Sequence, residues 1–209
     1  MSGAEITRVV TAGTFSLDGG TWDVENNVWV IGDENECVVI DAAHSADPIV
    51  AAVAGREVRA VLLTHAHNDH VNAATDLCTA TGARSYLHPA DRILWDVVHD
   101  TAPDEELADG NEFKVAGITL RTLHTPGHAP GACCFYSEEL GAVFTGDTLF
   151  HGGPGATGRS HSHFPTIIDS IRDKLLTLPS ETVVHTGHGD DTSIGAESGD
   201  LEAWIARGH

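Results

Sequence analysis

The stretch Thr64-His65-Ala66-His67-Asn68-Asp69-His70 places three histidines and an aspartate directly after an apolar run. That run, Val58 to Thr64, is short and bounded by polar residues, which is typical of a buried strand in a sheet covered on both faces. In extended backbone the side chains of His65 and His67 point the same way, because they are two residues apart. The remaining aspartate and histidine follow where the chain turns into the next predicted helix. Four metal-ligand side chains are therefore expected at the end of one strand.

Three later segments repeat this order of predicted strand, tight turn and ligand-type residue. They are Gly117 to His124 before His128, Ala142 to Thr145 before Asp147, and Thr182 to His185 before His188. A glycine beside each ligand-type residue lets the backbone approach closely. Open α/β folds gather their sites at strand ends, so these side chains are expected to meet.

The rest of the chain reads as a mixture of strands and helices. Further strands are predicted at Glu5 to Ala12, Asn27 to Ile31, Cys37 to Asp41, Ser85 to His88 and Ala132 to Ser137, with a turn at Asp18-Gly19-Gly20. Helices are predicted from Ser45 to Gly55, Val71 to Thr79, Pro89 to Val98, Phe164 to Leu178 and Asp200 to Ala206. No linker or internal repeat interrupts the chain. We expect an α/β fold and a single domain over residues 1–209.

The composition restricts the possible partners. The 31 acidic residues outnumber the 11 lysines and arginines, which gives a formal net charge of −20. Such a surface repels phosphate backbones and anionic membranes, so neither a nucleic-acid nor a membrane partner is expected, and a nuclease is disfavoured. The 14 histidines favour metal or proton chemistry.

The cysteines and the apolar runs indicate the compartment. Cys37, Cys78, Cys133 and Cys134 form no C-x-x-C pair, and the adjacent two face opposite ways on a predicted strand. A disulfide framework is therefore not expected. The sequence opens with no charged-then-apolar signal segment and holds no run of about 18 apolar residues. We expect a reducing, cytoplasmic location.

Four runs together resemble the successive metal motifs of the metallo-β-lactamase superfamily: His65 to His70, His124 to His128, Thr145 to Phe150, and Thr186 to Gly189. Within that superfamily the chain looks most like glyoxalase II, the hydroxyacyl-thioester hydrolase. Gly158-Arg159-Ser160, Phe164-Pro165 and Thr192 to Glu197 are also similar to that branch. The resemblance extends from Asn27 to Glu197. It implies an αββα four-layer sandwich with the site at one edge.

The resemblance also implies a ligand set. His65, His67 and His128 look like the ligands of one metal, and Asp69, His70 and His188 like those of a second. Asp147 looks like the bridge between two divalent ions, for which zinc is expected first and iron or manganese are alternatives. Asp69 and Asp147 are the residues expected to act in catalysis. His124 and His185 are competing candidates, because they lie shortly upstream of His128 and His188. We interpret both as strand-end residues.

Two further residues, Asp41 and Arg159, each allow a functional and a structural interpretation. Asp41 ends a predicted buried strand and either supports the metal ligands or forms a turn. Arg159 lies in a glycine-rich loop and either holds the anionic end of a substrate or pins that loop to backbone carbonyls.

The reaction implied by the resemblance is hydrolysis of a small acyl thioester by a hydroxide that bridges the metals. Coordination lowers the pKa of water from about 15.7 towards about 7, and a thiolate leaves readily. A single-iron persulfide dioxygenase, a lactonase and a non-catalytic metal-binding protein are the alternatives. A true β-lactamase is disfavoured by the expected location and by the complete Asp69-His70 pair.

Full-length glyoxalase II has a C-terminal helical domain that grips glutathione. Only Gly189 to His209 follow His188 here, and His161 stands where that family has an aspartate. The thiol carrier is therefore left open between glutathione, mycothiol and others. The sequence indicates no oligomeric state.

Overall fold

The structure, a computed structural model, describes residues 3–208, so Met1, Ser2 and His209 lie outside the described residues. Two six-stranded sheets form its centre. The first sheet runs in the order β1-β2-β3-β4-β5-β6. Its strands are β1 (Glu5–Leu17), β2 (Gly20–Gly32), β3 (Glu36–Ile40), β4 (Glu57–Leu62), β5 (Ser85–Leu87) and β6 (Glu105–Glu106). β1, β2 and β3 pair antiparallel, whereas β3 to β6 are parallel.

The second sheet runs in the order β14-β13-β10-β9-β8-β7. Its strands are β7 (Glu112–Val115), β8 (Ile118–His124), β9 (Cys133–Ser137), β10 (Ala142–Gly146), β13 (Val183–Thr186) and β14 (Thr192–Ser193). Only β10 and β13 pair in parallel. A small separate ribbon is formed by β11 (Leu149–Phe150) and β12 (Gly153–Pro154).

Helices cover the outer faces of both sheets. They are α1 (Ala46–Val53), α2 (Asn68–Val71), α3 (Ala74–Thr81), α4 (Arg92–Val98), α5 (Phe164–Ser170), α6 (Ile194–Glu197) and α7 (Leu201–Arg207). Short 3-10 turns at Pro89–Asp91 and Ser198–Asp200 lead into α4 and α7, and a π-helical turn at Ile171–Leu175 extends α5. Within residues 3–208, no helix is long and apolar enough to span a membrane.

The alternation of side chains along the central strands defines the layers. Val38 and Ile40 of β3 pack between the sheets against Phe135 and Phe144 of the second sheet. Val39, between them in sequence, faces the other way into the cluster that includes α1, α3 and α4. Strands that are apolar on both faces must be covered on both faces.

The second sheet follows the same rule. Cys133 faces the inter-sheet core, and Cys134 faces the cluster that contains Ile167 of α5 and Trp204 of α7. The predicted opposite facing of these two cysteines is confirmed, and all four cysteines are free thiols. The order helix, sheet, sheet, helix is the predicted four-layer αββα sandwich.

The first hairpin is longer than predicted. The strands expected at Glu5 to Ala12 and Asn27 to Ile31 extend until Leu17 pairs with Gly20. The turn is at the predicted place, with Asp18 and Gly19 at φ of 53° and 79°. Left-handed φ at both turn residues matches the twist of the flanking strands. The distal half of this hairpin, residues 13–24, extends beyond the core and is called the β1–β2 arm below.

The helix predicted at Val71 to Thr79 is divided into α2 and α3 by a break at residues 72–73. Ala73 N donates to Ala42 O, and Ala42 N donates to His70 O. These hydrogen bonds to the loop after β3 replace the intrahelical pattern. The ligand-type residues of this stretch therefore lie on their own short helix. The strands of two to four residues at β6, β7, β11, β12 and β14 were not predicted.

Candidate metal centre

All seven predicted ligand residues meet at one edge of the sandwich, and both sheets contribute. Four follow β4 or lie on α2, one lies in the loop after β8, and two follow β10 and β13; they are His65, His67, Asp69, His70, His128, Asp147 and His188. Their ligand atoms form three overlapping sets, and the atoms of each set lie within 4.8 Å of one another. The convergence joins residues that are up to 123 positions apart in the printed sequence.

In the first group, formed by His65, His67 and His128, the Nδ1 atoms of His65 and His128 are engaged outside the cluster, whereas the buried Nε2 of His67 has no hydrogen-bond partner. Thr64 Oγ1 donates to Asp41 Oδ2 at 2.9 Å, so at 3.0 Å it accepts from His65 Nδ1. His128 Nδ1 donates to Ala156 O at 2.8 Å. Each neutral ring carries a single N–H, so both Nε2 atoms present lone pairs to the interior.

Those two lone pairs point at the same atom. His65 Nε2 and His128 Nε2 each lie 3.0 Å from His67 Nδ1. A single N–H at His67 Nδ1 satisfies only one of them. Three imidazole nitrogens with converging lone pairs are the donor set that a zinc-like cation takes in proteins. The first group therefore fits a metal ion.

The second group consists of Asp69, His70 and His188. His70 Nδ1 contacts Asp41 Oδ2 at 2.8 Å, and His188 Nδ1 donates to Glu25 O at 2.7 Å. The Nε2 atoms of the two rings are left facing each other at 3.2 Å. Asp69 Oδ2 lies 3.3 Å from His188 Nε2. Two imidazoles and a carboxylate thus converge on a second position.

Asp147 lies between the two groups. Its Oδ1 is 3.3 Å from His70 Nε2, and its Oδ2 is 3.6 Å from His128 Nε2. Asp147 Oδ1 and Asp69 Oδ1 are buried and have no hydrogen-bond partner. Buried carboxylate oxygens without partners are costly unless an ion binds them. A carboxylate between two lone-pair clusters fits the bridging position of a dinuclear site.

Gly187 keeps the space between these groups open. A Cβ at this position would collide with Asp147 Oδ1 and approach the His70 ring. The sequence signal for this requirement was the Thr186-Gly-His188-Gly189 run. A larger residue at Gly187 would fill the space that the ligand atoms of both groups face.

The two groups differ in the charge that their imidazoles carry. Burial lowers the pKa of the first-group imidazoles, and that of His67 falls to about 3. In the second group burial opposes charge on His188, but the carboxylates of Asp147 and Asp69 outweigh it and raise its pKa to about 10. Burial likewise disfavours the Asp69 carboxylate, yet His70 and His188 hold its pKa at about 2. Without a cation, the second group therefore holds protons in the place of metal.

Asp41 supports this centre directly. It is 2% exposed, accepts from Thr64 N at 2.8 Å, and engages His70 Nδ1. Its φ of 62° also turns the chain after β3, so both interpretations of this residue apply. A carboxylate behind a metal-binding imidazole fixes its tautomer and orientation.

Asp91 supports the first group and was not predicted. It is fully buried, and its carboxylate accepts from Ala66 N at 2.9 Å and from Gly131 N at 2.5 Å. Burial raises its pKa to about 6 despite these hydrogen bonds. Asp91 thereby joins the loop of His65 and His67 to the loop that follows His128. In sequence it was only an acid near a helix start.

Asn26 was also missed. Its amide nitrogen lies 3.1 Å from Asp69 Oδ2, and its Oδ1 is 2.7 Å from His44 Nε2. His44 has a left-handed φ of 63°, which is strained for a residue with a side chain. A single polar residue on a buried strand carried no distinctive pattern, and only pairing of β2 beside α2 brings Asn26 to the site.

The competing histidines lie outside the cluster. His124 Nε2 donates to Pro130 O at 3.0 Å, and His185 Nδ1 pairs with Asp191 Oδ2 at 2.9 Å. Their alternative interpretation as strand-end residues agrees with these contacts. Arg159 lies at the rim of the cavity above the centre, with its guanidinium over Trp22 rather than on backbone carbonyls.

The cavity has a volume of about 210 Å³. Its floor is formed by five of the seven candidate ligands, and its walls come from the β1–β2 arm and the loop after β12. The lining residues are Phe15, Leu17, Val24, His67, Asp69, His128, Asp147, Phe150, Ala156, Arg159, Ser160, Ser162 and His188. A small, largely apolar chamber over a cluster of ligands suits a small organic substrate.

Comparison with known proteins adds independent information. The sequence matches the family model described as "Metallo-beta-lactamase superfamily" over residues 21–188, which include all seven candidate ligands. A Haemophilus influenzae protein named Hydroxyacylglutathione hydrolase GloC is 33% identical over 181 residues, covering 79% of this chain and 85% of that protein.

Two solved structures are similar over most of their length. The BLEG-1 B3 metallo-beta-lactamase matches with a TM-score of 0.77 and 28% identity, covering 90% of this chain and 97% of that one. TTHA1623, solved in a di-iron-bound form, matches with a TM-score of 0.75 and 33% identity, covering 84% and 93%.

Proposed function

Because the chain belongs to the metallo-β-lactamase superfamily, we propose that it is a metal-dependent hydrolase that cleaves small acyl thioesters. One observation carries the proposal: seven ligand-type side chains converge, and five of them form the floor of a small, largely apolar cavity; these five are His67, Asp69, His128, Asp147 and His188. A scaffold without catalytic function has no need for an open chamber above such a cluster.

The proposed ligand assignment follows the two groups. His65, His67 and His128 would hold one divalent ion, Asp69, His70 and His188 would hold the other, and Asp147 would be shared between them. Zinc is the expected ion, and the di-iron form of TTHA1623 makes iron the first alternative.

The two ions, when bound, supply a water of lowered pKa and a Lewis acid for the substrate carbonyl. The chain positions the other participants. Asp69 lines the cavity, and its buried Oδ1 is free to accept a hydrogen bond from an attacking water. His128 and His188 also line the cavity, each held through Nδ1 by a backbone carbonyl.

The leaving group is inferred from what the cavity lacks. Among its described lining residues there is no Glu, Tyr or Lys that would protonate a poor leaving group. A thiol has a pKa of about 8.5 and departs as thiolate without such help. The likeness to a protein named hydroxyacylglutathione hydrolase supports a thioester as well.

The experiment is a substrate panel run on protein purified without chelator, with metal analysis of the same sample. The panel contains acyl thioesters of glutathione and of simpler thiols, a lactone, a β-lactam and glutathione persulfide with an oxygen electrode. Thioester hydrolysis together with about two metal equivalents is expected. Oxygen consumption on persulfide at one iron equivalent, with no thioester cleaved, refutes the proposal.

A further inference from the structure

Asn26 of β2 lies next to all three members of the second group. Its amide nitrogen is 3.1 Å from Asp69 Oδ2, 3.2 Å from His70 Nε2 and 3.4 Å from His188 Nε2. Asn26 is fully buried and is absent from the described residues that line the cavity, whereas Asp69 and His188 line it. The amide therefore approaches the second group from the side away from the cavity.

The orientation of this amide is fixed from both ends of a short hydrogen-bonded chain. At one end the Asp69 carboxylate accepts hydrogen bonds and cannot donate them, so the amide nitrogen of Asn26 faces it. At the other end His44 N donates to Asn72 Oδ1 at 2.5 Å, which leaves the amide nitrogen of Asn72 facing His44 Nδ1 at 3.5 Å. His44 Nδ1 is then an acceptor, and His44 Nε2–H donates to Asn26 Oδ1 at 2.7 Å.

His44 itself is held in place by its surroundings. A Cβ at Gly13 of β1 would collide with the His44 ring, so the strand has room for the ring because this position is glycine. Asn72, at the end of α2, contacts the backbone N of His44. The left-handed φ of 63° at His44 is strained for a residue with a side chain and persists where surrounding contacts determine it. Burial lowers the pKa of His44, so the ring is neutral near pH 7 and its single N–H is the one that Asn26 accepts.

Asn26 makes the two oxygens of the Asp69 carboxylate unequal. Oδ2 accepts from the amide and lies 3.3 Å from His188 Nε2, whereas Oδ1 is buried without a hydrogen-bond partner. Loss of the amide would remove a hydrogen bond that opposes rotation of this carboxylate. Asn26 therefore determines which oxygen of Asp69 stays with the second group.

We propose that Asn26 and His44 are positioning residues for the metal ion of the second group: His44 orients the Asn26 amide, and that amide keeps Asp69 Oδ2 directed at the position of the ion. This inference rests on the proposed two-metal hydrolase. Among the described residues 3–208, the hydrogen-bond contacts of the Asn26 side chain go to the second group and to His44, and none goes to the first group. The pair is therefore expected to act on one of the two metal ions.

Metal titrations of proteins with a single intact group test the proposal. His128→Ala impairs the first group and His188→Ala the second, and competition of Zn²⁺ with a chromophoric chelator measures the affinity of the ion that each protein retains. Adding Asn26→Leu, which removes the amide from a side chain of similar shape, should weaken binding in the His128→Ala protein by about 10- to 100-fold, the loss typical of a partner behind a metal ligand. The same change should leave the affinity of the His188→Ala protein unaltered. In the wild-type background, one of the two stepwise affinities should fall and the other should not.

Variants of the His44 contacts test how the amide is oriented. His44→Leu should cause the same selective loss by a smaller factor, because the amide remains but its orientation is no longer fixed. His44→Gln supplies a side-chain N–H in its place and should restore most of the affinity. Gly13→Ala should reproduce the loss, since its methyl group meets the His44 ring and its backbone lies outside the left-handed region. Ala12→Ser, at the exposed neighbouring position, and His185→Leu are the controls and should change neither affinity.

The titrations also give the outcomes that overturn the proposal. Equal weakening in both single-group proteins would mark Asn26 as a general structural residue and overturns it, as does unaltered affinity in both. Failure of His44→Gln to improve on His44→Leu overturns the part assigned to His44. Because the titration needs no turnover, it separates this inference from the proposed function. Selective loss supports the positioning role even if no thioester is cleaved, and unaltered affinity contradicts it even if thioesters are cleaved.

Discussion

The two groups of the candidate metal centre differ in how their side chains are prepared to bind a cation. The first group consists of three imidazoles whose pKa values are lowered by burial, so their lone pairs are exposed to the interior without any cation. The second group places two imidazoles among carboxylates: Asp147 and Asp69 raise the pKa of both His70 and His188 against the effect of burial, and Asp41 also raises that of His70.

The first group is preorganised for a metal ion, whereas the second group offers negative charge that a metal ion neutralises. A metal entering the first group meets lone pairs that are already free. A metal entering the second group must displace protons, but it gains carboxylates whose charge it neutralises. We therefore expect the first group to bind metal over a wide pH range and the second to bind with release of protons.

The largest effect is expected where the two groups meet. Asp147→Ala removes the carboxylate placed between them, so kcat/KM should fall by about 10³-fold or more, the size that loss of a principal electrostatic contribution produces. Steady-state kinetics measures the loss, with circular dichroism as the check that the fold is retained. Activity near that of wild type would refute the bridging role.

Single-ligand variants separate the groups. His128→Ala should empty the first group and His188→Ala the second, so each variant should retain about one of the two metal equivalents. Elemental analysis and activity on the same samples test this. His185→Ala is the matched control, because His185 is a buried histidine outside the cluster. Full activity in His188→Ala at one equivalent would favour a mononuclear enzyme.

Supporting carboxylates should have smaller and different effects. Asp91→Asn should weaken metal binding to the first group, and Asp41→Asn binding to the second, each by about 10- to 100-fold. Asp91 holds the backbone of two first-group loops, whereas Asp41 contacts His70 directly. Competition with a chromophoric chelator measures both affinities, and Asp191→Asn serves as the control. Identical losses at both positions in both variants would mean that the groups are not separately supported.

The smallest effect is on the pH dependence of the metal-free protein. The pKa of His188 is raised from 6.5 to about 10, so its contribution to stability is present below pH 6.5 and is lost as pH rises through 10. The pKa of His67 is lowered to about 3, so stability is lost in the other direction, as pH falls from 6.5 towards 3.

Calorimetric melting of chelator-treated protein between pH 7 and 10 should therefore show a falling Tm. His188→Asn should flatten this slope, while Asp191→Asn should leave it unchanged. A Tm that is constant over this range in the metal-free wild type would contradict the charge difference between the groups.

Much of the fold was predicted from local patterns. Runs of β-forming residues at Cys37 to Asp41 and Ala132 to Ser137 identified central strands, and the mostly apolar run Val58 to Thr64 predicted a strand buried on both faces. The distal arm was missed although Phe15 and Leu17 alternate with polar residues, as do Trp22 and Val24. The π-helical turn after Ser170 and the break between α2 and α3 carried no sequence signal, because both depend on packing against other elements.

The sequence by itself determined which residues are the candidate metal ligands. Imidazoles and carboxylates next to glycine turns at strand ends have a chemistry that does not depend on the rest of the chain, so the seven candidates were identifiable from local spacing and from the resemblance of their motifs. The spacing also placed His65 and His67 on one side of the chain, since strand geometry alternates.

Only the tertiary structure decided how those ligands are held and what lies above them. Asn26, Asp91 and the Trp22–Arg159 stack join segments distant in sequence, and each was an unremarkable residue in its own neighbourhood. A hydrogen bond or a stacking contact between distant segments exists only after the sheets have paired. The electrostatic difference between the two groups has the same origin, because pKa values follow from burial and from neighbours that folding brings together.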